Sequence, residues 1–77
     1  MERMSEIIFV VEEDPDGGYT ARALGESIFT EADSLSELKE SIRDAIGAHF
    51  DSEDQIPPVI RLHHVHDELL PYAKTSA

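Results

Sequence analysis

The sequence reads IIFVVEEDPDGGYTARAL over residues 7–24, two apolar runs on either side of a polar turn. Residues 7–11 form a continuous run of β-branched and aromatic side chains, which is typical of a strand buried on both faces and central in its sheet. The turn contains a proline and two adjacent glycines, which supply tight-turn geometry and positive φ. Residues 7–11 and 19–24 are therefore predicted to pair as a β-hairpin.

The clearest helical signal begins at Ser34. This serine lies three residues before Glu37, which is the spacing of a capping box, and an apolar pattern with three- and four-residue steps follows. The pattern predicts a helix over residues 35–50. Its apolar stripe consists of Leu35, Leu38, Ile42, Ala45, Ile46 and Phe50.

Two further strands complete the predicted fold. Residues 28–31 can form a short third strand, and residues 59–66 are a fourth strand that follows Pro57 and Pro58, with a polar loop over residues 51–55 between the helix and the prolines. The order βββαβ predicts an α+β fold, a sheet with one packed helix, similar to a cut-down ribonuclease H-like fold. We expect a single domain over residues 1–77, with an ordered core at about residues 6–70 and short flexible termini.

Length and charge narrow the classes of function. The chain has 77 residues and no cysteine, and its 17 acidic against 6 basic residues give a formal net charge of −11. Nucleic acids are polyanions, so direct nucleic-acid binding by this domain is not expected, whereas a basic partner suits an acidic surface. The same charge also serves solubility alone. The sequence lacks a membrane-spanning run and a signal peptide, so we expect a cytoplasmic protein with no membrane partner.

Four acidic residues at the hairpin turn, Glu12, Glu13, Asp14 and Asp16, have two interpretations. They can be a metal or catalytic carboxylate cluster, or a solvated turn that contacts a partner. The spacing does not fit a calcium loop, since Gly18 and Tyr19 occupy the positions that need an oxygen ligand and a glycine. A nuclease site needs carboxylates that converge from separate elements. We therefore expect a solvated turn, and we assign no catalytic residue, cofactor or metal.

The histidines near the fourth strand, His63, His64 and His66, also have two interpretations. Two or three imidazoles can contribute to a metal site, but a closed zinc site usually needs four ligands. The other interpretation is half-exposed or interfacial imidazoles. A second candidate function, a regulatory domain that responds to a small ligand or a metal through this segment, depends on the first interpretation.

The predicted sheet has more apolar surface than one helix can cover, which predicts a homo-oligomer. A single helix covers one face of a four-stranded sheet, while the first strand is apolar on both faces. Something must cover the remaining apolar face, and a second copy is the simplest candidate. The residues expected at the interface are Ile60, Leu62, His64 and His66.

The order of elements and several short motifs resemble the HicB-like antitoxins of bacterial toxin–antitoxin systems. The matching motifs are Asp16-Gly17-Gly18-Tyr19 at the hairpin, Ala21-Arg22-Ala23-Leu24-Gly25, Ile28-Phe29-Thr30, Asp33-Ser34-Leu35-Ser36-Glu37-Leu38 and Ile60-Arg61-Leu62-His63. The resemblance covers about residues 6–70, and it lies in the order of the motifs and not in any one of them.

The resemblance implies a non-catalytic module that neutralises a small basic, RNA-cleaving toxin (HicA-like) by direct binding. Many members also carry a C-terminal DNA-binding segment, which this sequence lacks after its fourth strand, so we expect a standalone N-terminal-type domain. The surfaces expected to bind the partner are the turn with Tyr19 and the exposed side of the helix. Their residues are Glu12, Glu13, Asp14, Asp16, Tyr19, Glu37, Glu40 and Asp44.

Overall fold

The computed structural model describes residues 5–73, and it contains the α+β layout that the sequence predicts. The elements are β1 (Glu6–Glu13), β2 (Tyr19–Ala23), β3 (Phe29–Ala32), α1 (Leu35–His49), a 3-10 turn (Glu53–Gln55) and β4 (Val59–Val65). The predicted polar loop thus contains one short helical turn. The expected flexibility of the first and last four residues lies outside the described residues.

The four strands form one mixed sheet in the order β3-β2-β1-β4. β1 is central, as its doubly apolar sequence predicts, and it pairs antiparallel with β2 and parallel with β4. β2 pairs antiparallel with β3. Because β3 and β4 are the two edges, the connection through α1 runs from one edge of the sheet to the other.

The helix begins and ends where its sequence signals lie. The amide of Glu37 donates to Ser34 Oγ at 3.2 Å, and the Ser34 hydroxyl donates to Glu37 Oε1 at 3.1 Å, so the predicted N-cap is confirmed. At the other end, Phe50 N donates to Ile46 O, and Phe50 itself is extended and stands outside the helix.

The core lies between α1 and one face of the sheet. β1 contributes Ile7, Phe9 and Val11 to it, at alternate positions, and α1 contributes the centre of its apolar stripe. Alternation along the strand and three- to four-residue steps along the helix thus bring two apolar surfaces together. The buried apolar residues are Ile7, Phe9, Val11, Ala21, Ala23, Ile28, Leu38, Ile42 and Ile46.

The opposite face of the sheet has no covering element among residues 5–73. β1 places Ile8 and Val10 there, both half-buried, and Arg22 of β2 lies between Val10 and Phe29 in the register. Phe29 is 62% exposed. We call this surface the open face. It also carries Leu24, Val59, Arg61, His63 and Val65.

The strip expected to form an oligomer interface lies on the other side. Ile60, Leu62 and His64 pair with Ile7, Phe9 and Val11, so they point to the helix side of the sheet. Leu62 packs against the core cluster. The open face is therefore built from other residues, and an oligomer interface at this strip stays a prediction. His66 follows β4 and is exposed.

Candidate acidic groove

The hairpin turn, the end of β3 and the start of α1 meet at one end of the sheet and enclose a groove. Its volume is about 400 Å³. The register explains the position, because Tyr19 opens β2 beside Glu13 at the end of β1 and beside Ala32 at the end of β3. We call it the acidic groove. It is lined by Asp14, Gly17, Tyr19, Thr20, Glu31, Ala32, Asp33, Glu37 and Ser41.

Backbone hydrogen bonds set the shape of the turn beside this groove. Asp14 N donates to Gly18 O and Gly17 N donates to Asp14 O, each at 2.9 Å. Gly17 and Gly18 have φ values of 104° and 88°, which are the positive angles that the two glycines predict. Asp16 N donates to Asp14 Oδ1 at 2.8 Å, so the Asp14 carboxylate is held by its own turn.

The groove has a one-sided charge. Four of its lining residues are acidic, Asp14, Glu31, Asp33 and Glu37, and none is basic. Carboxylates accept hydrogen bonds and attract cations, and a tyrosine ring offers its face to an ammonium or guanidinium group. Tyr19 is half-buried and packs against the core, so its ring has a fixed support. This arrangement suits the recognition of lysine or arginine side chains.

The structure brings together some of the predicted partner-binding residues and separates others. Asp14, Tyr19 and Glu37, which come from the turn and from the helix, line the same groove. Glu40 and Asp44 are exposed further along α1, outside it. The turn patch and the helix patch therefore meet only at Asp14, Tyr19 and Glu37.

Glu12 and Glu13 belong to a neighbouring groove between the turn and the end of β4. Its volume is about 490 Å³, and Asp14 lines both grooves. Asp16 lines neither and is exposed at the tip of the turn. The lining residues of this second groove are Glu12, Glu13, Asp14, Pro15, Val65, His66 and Asp67.

Sequence reasoning missed Glu31 and Ser41 as groove residues. Glu31 lies in β3 opposite Thr20, and this antiparallel pairing brings it to the end of the sheet where the turn is. The sequence signal was the register of the strands. A third strand that pairs antiparallel with β2 ends beside the start of β2, where the turn lies. Asp33 is named in the sequence analysis only as part of the motif that opens the helix.

The histidine segment does not assemble a metal site within residues 5–73. No group of three or more histidine, cysteine or acidic side chains is placed to hold an ion in that range. The fourth histidine, His49, instead pairs with Glu26, with His49 Nε2 at 2.9 Å from Glu26 Oε1. This contact ties the end of α1 to the connection between β2 and β3.

A membrane-spanning helix is not found in the described part of the chain, where α1 is too short and too polar for the role.

Two curated proteins are similar to most of this chain. One, from Archaeoglobus fulgidus, is named UPF0150 protein and is 56% identical over 54 residues, which cover 70% of this chain and 80% of that protein. Another, from Thermotoga maritima, has the same name and is 47% identical over 51 residues, covering 66% and 73%. No family model and no solved structure matches the chain. At such identity over most of both lengths, the chain belongs to the UPF0150 family.

Proposed function

We propose that this chain is a HicB-like, non-catalytic binding module, which neutralises a small basic RNA-cleaving protein by occupying its cationic surface. The observation that carries the proposal is the acidic groove, with its four carboxylates beside Tyr19. A protein that binds RNA must present lysine and arginine side chains, and a carboxylate-rich groove competes for those same groups.

Two of the five motifs that resemble HicB-like antitoxins meet at this groove. Gly17 and Tyr19 of the Asp-Gly-Gly-Tyr motif line one side, and Asp33 and Glu37 of the motif that opens the helix line the other. These two motifs belong to different elements. The first forms the turn between β1 and β2, and the second caps α1. Their meeting at one surface supports a shared binding role.

In this proposal, net charge determines the rate of encounter and direct contact determines the affinity. The net charge of −11 speeds the encounter with a basic partner, an effect that salt weakens because the Debye length is about 8 Å at physiological ionic strength. Affinity needs a centre that excludes water, and aromatic residues often provide it. Tyr19 is the aromatic residue at the groove, so we assign it that role.

The proposal is tested by recovering the partner. The tagged chain is expressed in its native host, and small proteins that co-purify with it are identified and then produced alone. We expect a protein of positive net charge that cleaves RNA in the cytoplasm and loses this activity when the chain is added at equimolar concentration. A partner that is acidic, or RNA cleavage that continues with the chain bound, would contradict the proposal.

Charge reversal then locates the surface. Asp14→Lys/Glu37→Lys alters the groove, Glu40→Lys/Asp44→Lys alters the helix beyond it, and Asp51→Lys/Glu53→Lys makes the same change in net charge after the helix. All three variants change the net charge by the same amount, so a difference between them reports position. We expect only the groove variant to lose inhibition of RNA cleavage, and equal losses in all three would leave net charge alone as the cause.

A further inference from the structure

We propose that β4 pairs edge to edge and antiparallel with β4 of a second copy of this chain, so that two sheets become one. β4 is an edge strand, and it pairs with β1 along one side only. Every residue of β4 except Leu62 is exposed. An edge of this length presents a row of backbone donors and acceptors that can pair with another strand.

The two edges of the sheet differ in how they are protected. β3 spans four residues, contains Glu31, and has Glu26 and Asp33 close by in the sequence. Short length and charge are the features by which natural edge strands avoid pairing. β4 spans seven residues and contains neither proline nor an acidic residue. The edge that can accept another strand is therefore β4.

Charge decides which occupant the edge fits. Residues 55–66 contain no aspartate or glutamate, and this is the longest such stretch in the sequence. A basic partner is drawn to the acidic surfaces, not to this stretch, which holds Arg61 and three histidines. Two copies that each carry a charge of −11 repel one another, and they do so least where the acids are absent. The occupant that suits this edge is a second copy.

The one charged side chain of β4 is already neutralised within its own chain. Arg61 Nε and Nη2 donate to Glu6 Oε1 at 3.0 and 2.9 Å, across from β4 to β1. This hydrogen-bonded carboxylate raises the pKa of Arg61 above its usual value. Two copies can therefore approach along β4 without bringing two unpaired guanidinium groups together.

The sequence of β4 is also suited to antiparallel pairing with the same strand of a second copy. A twofold axis at Leu62 pairs strands antiparallel, and it places Val59 of one copy opposite Val65 of the other. Both valines lie on the open face, at 49% and 37% exposure, so two apolar pairs form beside the axis. Leu62 meets Leu62 on the helix side, and Ile60 meets His64 there. This explains part of the apolar surface that one helix leaves uncovered.

The segment after β4 gives a second reason for a second copy. Leu69, Leu70 and Tyr72 are 93%, 87% and 105% exposed, more than any other large apolar side chain among residues 5–73. In the antiparallel arrangement this segment leaves β4 next to the start of β4 in the other copy. There it lies beside Pro58 of that copy, which is exposed.

Two double variants that differ at one position test the pairing and its register. Val59→Glu/Val65→Glu places glutamates opposite one another, and Val59→Lys/Val65→Glu places lysine opposite glutamate. Like charges directly opposite weaken a strand pair and opposite charges support it, so we expect the first variant to dissociate about tenfold more readily than the wild type. We expect the second to recover wild-type association within a few fold.

The measurement is sedimentation equilibrium of the full chain from about 1 to 200 μM, with thermal melting followed by circular dichroism to show that each variant is folded. Phe29→Glu is the matched control, because it adds a charge to the open face far from β4. We expect Phe29→Glu to associate as the wild type does. A wild-type monomer at 200 μM would overturn the proposal.

Three other results would also overturn it. Dissociation by Phe29→Glu would assign the contact to the open face, and association of Val59→Glu/Val65→Glu at the wild-type level would assign it elsewhere. A Val59→Lys/Val65→Glu variant that dissociates as the double glutamate variant does would exclude this register.

Discussion

A Cβ atom built on Gly18 would lie 2.9 Å from the backbone oxygen of Ala32. This distance is closer than side chains tolerate, so the hairpin turn rests directly on the end of β3, next to the acidic groove that Gly17 and Ala32 line. The contact joins the turn to the segment that leads into α1, beside the pairing of Tyr19 with Ala32.

The first prediction compares two adjacent glycines. Gly18→Ala meets both a positive φ of 88° and the Ala32 oxygen, whereas Gly17→Ala meets a positive φ of 104° and, among the described residues, no atom within 4 Å. We expect Gly17→Ala to lower the free energy of unfolding by about 1–2 kcal/mol, and Gly18→Ala to lower it by a larger amount. Urea unfolding of both variants checks this, and equal losses would show that the approach of turn and strand is looser than described.

The second prediction concerns the start of α1. Ser34→Ala removes the side chain that accepts from Glu37 N, and we expect it to cost about 1 kcal/mol of stability. Ser52→Ala is the matched control, since Ser52 precedes the 3-10 turn but makes no capping hydrogen bond with its side chain within residues 5–73. The same urea experiment applies, and a loss for Ser52→Ala as large as that for Ser34→Ala would argue against the cap as the cause.

The third prediction separates the core from the open face. Leu38 is fully buried between α1 and the sheet, so Leu38→Ala should cost about 2–5 kcal/mol, which is a large part of the stability of so small a domain. Leu24 is 47% exposed, and Leu24→Ala should cost less than about 1 kcal/mol. Thermal melting by circular dichroism measures both. A Leu24→Ala loss equal to that of Leu38→Ala would mean that the open face is covered in solution.

The fourth prediction concerns zinc and the histidine segment. Tight binding to the folded state alone would add about 2.7 kcal/mol at a hundredfold excess over the dissociation constant. Residues 5–73 bring no three candidate ligands together, so we expect the melting temperature to be the same with zinc and with a chelator. A marked rise with zinc that His64→Ala/His66→Ala abolishes would instead support the metal-responsive regulator.

Residues 35–50 were predictable because their apolar side chains recur at three- and four-residue steps, and residues 7–11 because they form an unbroken apolar run. The apolar stripe of the helix faces the core, and the strand that is apolar on both faces is central in the sheet, as its sequence indicates. β4 was different. The alternation of VIRLHHV is the same for an edge strand and an inner strand, so its position beside β1, and the side to which Ile60 and Leu62 point, became known only from the register.

The acidic groove was predictable only in part for a related reason. Asp14 and Glu37 were recognised as candidates on separate patches, each from local sequence. Their meeting depends on β3 returning beside Tyr19 and on the close approach of Gly18 to Ala32, which are contacts between distant parts of the chain. Local charge patterns do not encode such contacts, so Glu31 was missed.

We propose above that the acidic groove binds a basic protein. The rate constant for association with the partner recovered by co-purification tests this most directly. It is measured by stopped flow at several salt concentrations for the wild type, for Asp14→Lys/Glu37→Lys and for the matched Asp51→Lys/Glu53→Lys. We predict a wild-type rate that falls steeply with salt, a groove variant that is slower at low salt with a shallower slope, and a control close to the wild type. A rate that is the same for all three proteins at every salt concentration would contradict the claim.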